Sequence, residues 1–380
     1  MDFSFTEEQS MLRDTLTAYL ADNYSLAARR AAVASEAGWR PEIWRAFAQE
    51  LGILGAPFPE DLGGLGGGPV ETHVIMETFG EALVLEPYVG TVVIGGGLLQ
   101  HAGHPRAAEL IGGIIEGDVT MALAAAEAEA RYAWSDVQAS ARKDGTGWVL
   151  TGRKVVVVGA PWATHLIVSA RTGGGRRERE GVSLFLVEKG AAGVSSLDYP
   201  TVDGGRAADV TFETVRLPAQ ALIGPEGQGA PLLERVLDEA VAAHCAEGCG
   251  VLRRLQAGTL DYTRQRRQFG QPISQFQVLQ HRMADMFMQL ELSVSLSLVA
   301  AISLRDPDAA ARAKAVSSAK VQVGKALRFV GQGAIQLHGG MGMTDEMAIS
   351  HYFKRGTMIE SAFGSTDHHL ARYEALSFAD

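Results

Sequence analysis

The densest run of residues able to do chemistry is TRQRRQFGQPISQFQ, in which Arg264, Arg266 and Arg267 precede Phe269-Gly270 and Gln277 follows eleven residues after Arg266. Guanidinium groups gathered beside a turn have two readings. They form a solvated helix end, or they hold an anion such as a pyrophosphate, whose oxygens a planar fork grips in pairs. Further on, Gln336-Leu337-His338-Gly339-Gly340 ends a helical pattern in paired glycines, which let another backbone or a planar ligand approach closely. Other candidates carry less. The loop Gly63 to Gly68 has a dinucleotide-like glycine spacing but no preceding strand, and is read as a turn. Serines, tyrosines and histidines show no nucleophile elbow and no triad spacing. The histidines of Asp367-His368-His369 are adjacent, so on a helix they point apart and make no metal pair. Cys245 and Cys249, four residues apart on a helical stretch, lack disulfide geometry and read as small buried hydrophobes. No metal is expected, and no catalytic residue can be named.

These residues must be positioned by elements that the periodicity outlines. At the N-terminus, Thr6 and Gln9 form a capping-box signature ahead of an apolar face at Leu12, Leu16, Tyr19 and Leu20. Pro41, with Ile43, Trp44, Phe47 and Leu51 in register and Gly52 beyond, marks another helix. A third follows at Val70, Val74 and Leu83, after the loop EDLGGLGGG. The period changes near Val119. Arg142 to Val158 reads as a hairpin turning at Asp144-Gly145, with a second turn at Thr151-Gly152. His165–Ser169, Val182–Val187 and Val210–Val215 are further short strands of an antiparallel barrel or sandwich. The glycine-rich RTGGGRRERE is an exposed tip whose charges solvate it. Past Gly224-Pro225 the helical period returns. Phe276, Leu279, Met283, Met286, Leu290, Val294 and Leu298 form one stripe, and Asp306-Pro307 caps a helix running to about Leu337, on the order of 45 Å long. Short connections make its neighbours antiparallel, a helical bundle in which the methionines at 283, 286 and 288 are core filler. Three domains result: 1–118 helical, 119–226 of strands, and 227–380 helical.

The chain has 380 residues, 47% hydrophobic and 21% charged, a globular balance with room for several cores. Lys+Arg 34 against Asp+Glu 44 gives a net charge of −10, which disfavours nucleic acid and anionic lipid as partners. MDFSFTEEQS has no basic n-region or apolar h-region, and no segment reaches about 18 uninterrupted apolar residues, so a cytoplasmic protein with no membrane partner is expected.

Taken in order, DFSFTEEQ, PEDLGGLGG, GWVLTGRK, RRQFGQPISQFQ and IQLHGGMGMTDE resemble the acyl-CoA dehydrogenase family over the whole chain. The resemblance implies an α+β fold: a helical N-domain, a central β-barrel and a C-terminal four-helix bundle, assembled as a dimer or tetramer. It implies FAD as cofactor, an acyl-CoA substrate dehydrogenated between its α and β carbons, and an electron-transferring flavoprotein as acceptor. In that chemistry a carboxylate takes the α-proton while the flavin takes the β-hydrogen as hydride. The family's commonest base, the Glu of Tyr-Glu-Gly-Thr, matches Phe363-Gly364-Ser365-Thr366, so its position is Gly364. The alternative base position of some relatives matches Ala240, flanked by Asp238 and Glu239; Glu239 is a weak candidate, and Glu247 is given a structural role. The loop Thr-Glu-Pro-Gly-Ala-Gly-Ser-Asp that covers flavin and substrate matches AAAEAEARYAWSD, which keeps only Ser135-Asp136 at its end. The Trp-x-Thr beside the flavin ring matches Val156-Val157-Val158, which supplies neither indole nor hydroxyl.

What is kept points the other way. The resemblance implies that Arg266, Phe269, Gln277, Gln336, Gly339, Gly340 and Thr366 bind cofactor, the arginine, Gln277 and QLHGG elements reaching the FAD of a neighbouring subunit. A chain that keeps the contacts it gives and loses those it uses resembles the small, base-lacking subunit of two-subunit acyl-CoA dehydrogenases, such as the pimeloyl-CoA type or those acting on steroid side chains. HYFKR and DHHLARY match that type. A homologous partner subunit is then expected, in a heterotetramer; the alternatives are a self-sufficient homo-oligomer with an unusual base, a flavin-dependent monooxygenase of the same fold, or an acyl-CoA binder without FAD.

Overall fold

A computed structural model of the chain describes residues 4–378, so the Asp2-Phe3 start of the DFSFTEEQ stretch lies outside the described residues. The chain forms two compact units, each assembled from separated stretches. One takes in the chain up to Ala31, Pro69–Val84 and the chain from Val241; the other takes in Ala32–Gly68 and Leu85–Ala240.

The first unit is helical: α1 (Glu7–Asn23), the greater part of α2 (Leu26–Ala34), α4 (Pro69–Ala82), the greater part of α7 (Gly229–Gln265), α8 (Gln277–Ser303), α9 (Ala309–His338), α10 (Ala348–Ser361) and α11 (Thr366–Ser377). The capping box forms as its residues dictate, the Gln9 N–H donating to Thr6 Oγ1 at 3.2 Å and the Thr6 N–H to Gln9 Oε1 at 3.1 Å. Helix α9 starts slightly later than expected, because Asp308, not Asp306, caps it through the Ala310 N–H at 2.9 Å. Helices α7, α8, α9 and α10 share one core, in which Cys245, Cys249, Leu252, Met283, Met286, Leu290, Val316, Val323 and Val330 are buried together. Met288 is not part of it: it is 54% exposed, since two residues beyond Met286 a side chain has rotated about 200° around the helix. Helix α8 is long and apolar enough to cross a membrane by length and composition, with mean hydropathy 1.6, yet its Met283, Met286 and Leu290 stripe is spent on this core. Helices α4 and α7 meet backbone to backbone. A Cβ at Gly80 would lie 2.0 Å from the Glu247 carbonyl oxygen, and one at Gly250 2.0 Å from that of Glu77, so only glycine admits this crossing.

The second unit carries α3 (Pro41–Gln49), α5 (Gly97–His101), α6 (Ala107–Glu116) and the sheet. Its strands are β1 (Met121–Ala124), β2 (Ser140–Asp144), β3 (Gly147–Val158), β4 (His165–Arg171), β5 (Val182–Glu188), β6 (Val194–Pro200), β7 (Arg206–Leu217) and β8 (Leu222–Ile223). Their order is β6-β7-β3-β2-β4-β5-β8, with β1 parallel to β4. The β2–β3 hairpin turns where expected, pairing Asp144 with Gly147. Thr151-Gly152 is not a turn, however. The strand runs through it with a register shift against β7, and a Cβ on Gly152, at φ +153°, would lie 2.5 Å from Ala139 Cβ and 2.6 Å from its Cα.

Candidate functional site

Helix α7 ends at Gln265 and the chain turns back through β9 (Arg267–Gln268) and β10 (Gln271–Pro272), with Phe269 and Gly270 both at positive φ. The hairpin closes when the Ile273 N–H donates to the Arg266 carbonyl at 2.8 Å. Phe269 is 93% exposed and meets Phe276 edge to face at 6.1 Å, just before Gln277 opens α8. Among the described residues neither Arg264 nor Arg266 has a carboxylate partner, and both are exposed; Arg267 donates only to the Gly270 carbonyl, at 3.2 Å. Gln336, Gly339 and Gly340 are likewise exposed at the end of α9. Gly339 takes φ +60°, and a Cβ on either glycine would meet nothing within 4 Å.

Between these two stretches lies a contact that the sequence did not disclose. The Tyr262 and His338 rings stack at 4.3 Å, and Tyr262 Oη donates to the His338 carbonyl at 3.3 Å. The ends of α7 and α9 are thereby held together, and six of the seven expected cofactor residues fall on the two stretches so joined. Free guanidiniums, exposed amides and an unobstructed glycine turn form a donor set that fits a pyrophosphate and its nucleoside. The seventh, Thr366, stands apart. It packs on α9 at Gly324, twelve residues before Gln336 and so roughly 18 Å along the helix, with Oγ1 buried and without a hydrogen-bond partner.

The expected base positions hold no usable carboxylate. Phe363 and Gly364 both have positive φ, +54° and +130°. A Cβ on Gly364 would lie 2.6 Å from His368 Cδ2 and 2.6 Å from His369 Nε2. His369 is fixed there, its Nε2 at 3.3 Å from the Phe363 carbonyl and its Nδ1 at 3.2 Å from Ser317 Oγ. Burial, reinforced by Lys320, pushes its pKa down to about 3, so the ring is neutral: Nε2–H donates and Nδ1 accepts. The Lys320 ammonium donates to the carbonyls of Ile359 and Ala362 and ties down the end of α10 before this turn. Ala240 is fully buried. Glu239 is bound to His101 at 2.7 Å, with Arg235 at 3.8 Å. Glu247 takes both nitrogens of an Arg355 fork at 2.5 and 2.7 Å and His244 Nδ1 at 3.0 Å. Burial would raise its pKa, but Arg355 and His244 outweigh that and bring it to about 2, which leaves a carboxylate far too weak a base to take an α-proton.

In the second unit, the stretch matched to the flavin-covering loop is pinned at both ends. Glu127 is buried and accepts from the Gln138 and Ala139 N–H groups at 2.8 and 3.0 Å and from Lys154 Nζ at 2.7 Å. Asp136 is buried and takes Arg176 Nε at 2.5 Å and Arg177 Nε at 3.1 Å. The arginine-rich tip is therefore not merely solvated. It folds back on this stretch, and Arg171 donates to the carbonyls of Ser135, Arg176, Glu178 and Glu180. Beside it, Val156 and Val158 are more than half exposed. Val156 sits in a bulge at φ +50°, its N–H on Asp209 Oδ1 at 3.2 Å. A bare aliphatic pair offers a flavin ring neither stacking nor a hydroxyl. No group of three or more His, Cys, Asp or Glu able to hold a metal ion occurs among the described residues.

Comparison with known proteins places this architecture. Domain profiles of the acyl-CoA dehydrogenases match residues 6–133 (N-terminal domain), 122–215 (middle domain) and 227–374 (C-terminal domain). FadE12 of Mycobacterium tuberculosis, an acyl-CoA dehydrogenase, is 30% identical over 92% of this chain and 91% of its own. Among solved structures, a variant of the Tcur3481-Tcur3483 steroid ACAD superposes with a TM-score of 0.88 at 28% identity, covering 98% of each chain. The ChsE4-ChsE5 complex from Mycobacterium tuberculosis gives 0.89 at 26%, covering 100% of each. This chain belongs to the acyl-CoA dehydrogenase family, flavoprotein oxidoreductases that act on acyl-CoA with FAD.

Proposed function

We propose that this chain is the base-lacking subunit of a two-chain acyl-CoA dehydrogenase, and that it completes the FAD site of a homologous, base-bearing partner. One observation carries the reading: the position matched to the family's base is a glycine at φ +130°, where a Cβ would lie 2.6 Å from both His368 and His369. The exposed Arg266, Phe269, Gln277, Gln336, Gly339 and Gly340 supply the complementary half. Two of the similar structures are pairs by name, ChsE4-ChsE5 and Tcur3481-Tcur3483, which supports the same assembly here. Thr366, with its buried unpartnered hydroxyl, is the seventh cofactor residue of the reading.

In this assembly FAD supplies the hydride acceptor for the β-hydrogen. Arg266 holds phosphate charge through guanidinium N–H groups, each such bond being worth about 1.5–3 kcal/mol. Gln277 and Gln336 orient the nucleoside with amide groups, and Gly339-Gly340 leave its ring room to approach the backbone. The partner's carboxylate takes the α-proton, and an electron-transferring flavoprotein takes the electrons. The same reading keeps the three-domain division at 118 and 226 and a cytoplasmic location.

The test is the FAD-to-chain ratio, taken from visible absorbance after release of the flavin. Near-zero flavin in the chain alone, restored by co-expression with a base-bearing homologue and lowered again by Arg266→Ala, is expected. A ratio near one in the chain alone, or unchanged FAD content in the Arg266→Ala pair, overturns the reading.

A further inference from the structure

Two stretches far apart in sequence carry the groups proposed to reach the partner's FAD, and they can act together only if their spacing is fixed. Arg266 lies one turn beyond Tyr262, its N–H on the Tyr262 carbonyl at 2.8 Å. Gln336 and Gly339 bracket His338 on the other side. His338 is 3% exposed, and its Nδ1 sits 2.8 Å from the Ala334 carbonyl, one turn back along α9. A carbonyl can only accept, so Nδ1 carries the proton, and Nε2, buried and without a hydrogen-bond partner, is not what holds the ring. The ring is held instead by the Ala334 bond and by the Tyr262 face, stacked on it at 4.3 Å with the planes 25° apart. The Tyr262 hydroxyl adds a second tie, to the His338 main chain at 3.3 Å, directly before Gly339.

We infer that Tyr262 and His338 are positioning residues for FAD completion: their stacked rings lock the Arg266 hairpin to the Gly339-Gly340 turn, so that guanidinium and glycine backbone are offered as one rigid face. This rests on the proposed function. If the lock fails, each stretch still carries its own groups, but the two lose their common geometry, and the cost falls on how long FAD stays bound.

The experiment uses the pair formed with a base-bearing homologue, with FAD release followed by flavin fluorescence. Hydrogen exchange at 266–276 and 339–343 is measured on the chain alone. Tyr262→Leu and His338→Leu are expected to speed FAD release about fivefold to tenfold and to quicken exchange in both stretches. Tyr262→Phe keeps the stack and stays close to the unsubstituted protein. Leu290→Ala, a core truncation in α8, controls for general loosening. The inference is overturned if Tyr262→Leu leaves release and exchange unchanged, or if Leu290→Ala speeds release as much. Arg266→Ala separates the two claims: faster release there with none in Tyr262→Leu sinks the lock alone, whereas no change with Arg266→Ala sinks the reading beneath it.

Discussion

On the proposed reading, Gly364→Glu restores the family's carboxylate and is the simplest attempt to give this chain an active site of its own, and the structure predicts that it fails at the first carbon. At φ +130° an L-residue carries strain of about 1–3 kcal/mol. The new Cβ would stand 2.6 Å from His369 Nε2 and 2.7 Å from its Cδ2, with His368 Cδ2 at 2.6 Å, an overpacking that adds about 1–3 kcal/mol. His369 cannot yield freely, since moving it gives up the bonds to Phe363 and Ser317, about 1 kcal/mol each. The total is about 4–8 kcal/mol, which for a chain of 380 residues lowers the melting temperature by roughly 5–10 °C. Gly364→Ala shares the strain and the clash without the carboxylate, so it should lose most of the same stability. Calorimetry on both variants, with acyl-CoA turnover assayed on Gly364→Glu alone, checks the argument. A Gly364→Glu chain that melts with the unsubstituted protein and dehydrogenates an acyl-CoA unaided would refute both the packing argument and the base-lacking assignment.

Other consequences follow from buried charge and buried sulfur. Glu247, held at about 2 against an ordinary 4.5, contributes stability that is fully present above the ordinary value and is lost as the pH falls through the folded one. That contribution is about 3 kcal/mol. Glu247→Gln should therefore melt below the unsubstituted protein at pH 7, with the gap narrowing from pH 5 to pH 3; parallel melting curves over that range would count against the Arg355 pairing as its cause. Burial raises the Cys245 thiol to about 12 and Cys249 well above its ordinary value, so neither should react with a disulfide reagent in the native chain at pH 8. Both should react once it is unfolded, and rapid native labelling would contradict the buried core.

The elements that position the site were legible because they rest on local rules. The capping box, the α8 stripe and the Asp144-Gly145 hairpin are each decided by residues within a turn or two of one another. Strand β6 was not seen, because VSSLDYP is largely exposed and carries no alternating apolar face; its pairing with β7 alone makes it a strand. Gly152 looked like a turn because Thr-Gly commonly is one, and only the proximity of Ala139 shows that a bulge needs it. The tip arginines were read as solvated because Asp136 lies forty residues upstream of Arg176, a distance that no periodicity spans. Glu239 is the same case at larger scale, since His101, which occupies it, lies 138 residues away.

On the proposed reading, the split between kept and lost function is physical and not just a matter of missing letters. A lost base could in principle be regained by one substitution, if the space for it remained. Here the space is taken: the Phe363-Gly364 turn is fixed by Lys320 on the end of α10 and by His369 on Phe363, and both anchors are buried. The stretch matched to the flavin cover is likewise closed down, by Glu127 on Lys154 and by Asp136 on two arginines, so opening it would strand buried charge at both ends. By contrast, the Arg266 hairpin and the Gly339-Gly340 turn keep their polar groups exposed and unspent, on a frame locked by Tyr262 and His338. Exposed guanidiniums beside an open glycine turn are hydrated in the free chain, and on the proposed reading they exchange that water for the phosphates of a dinucleotide. On the proposed reading, the half that would use a flavin is built over, while the half that would complete a partner's is kept open.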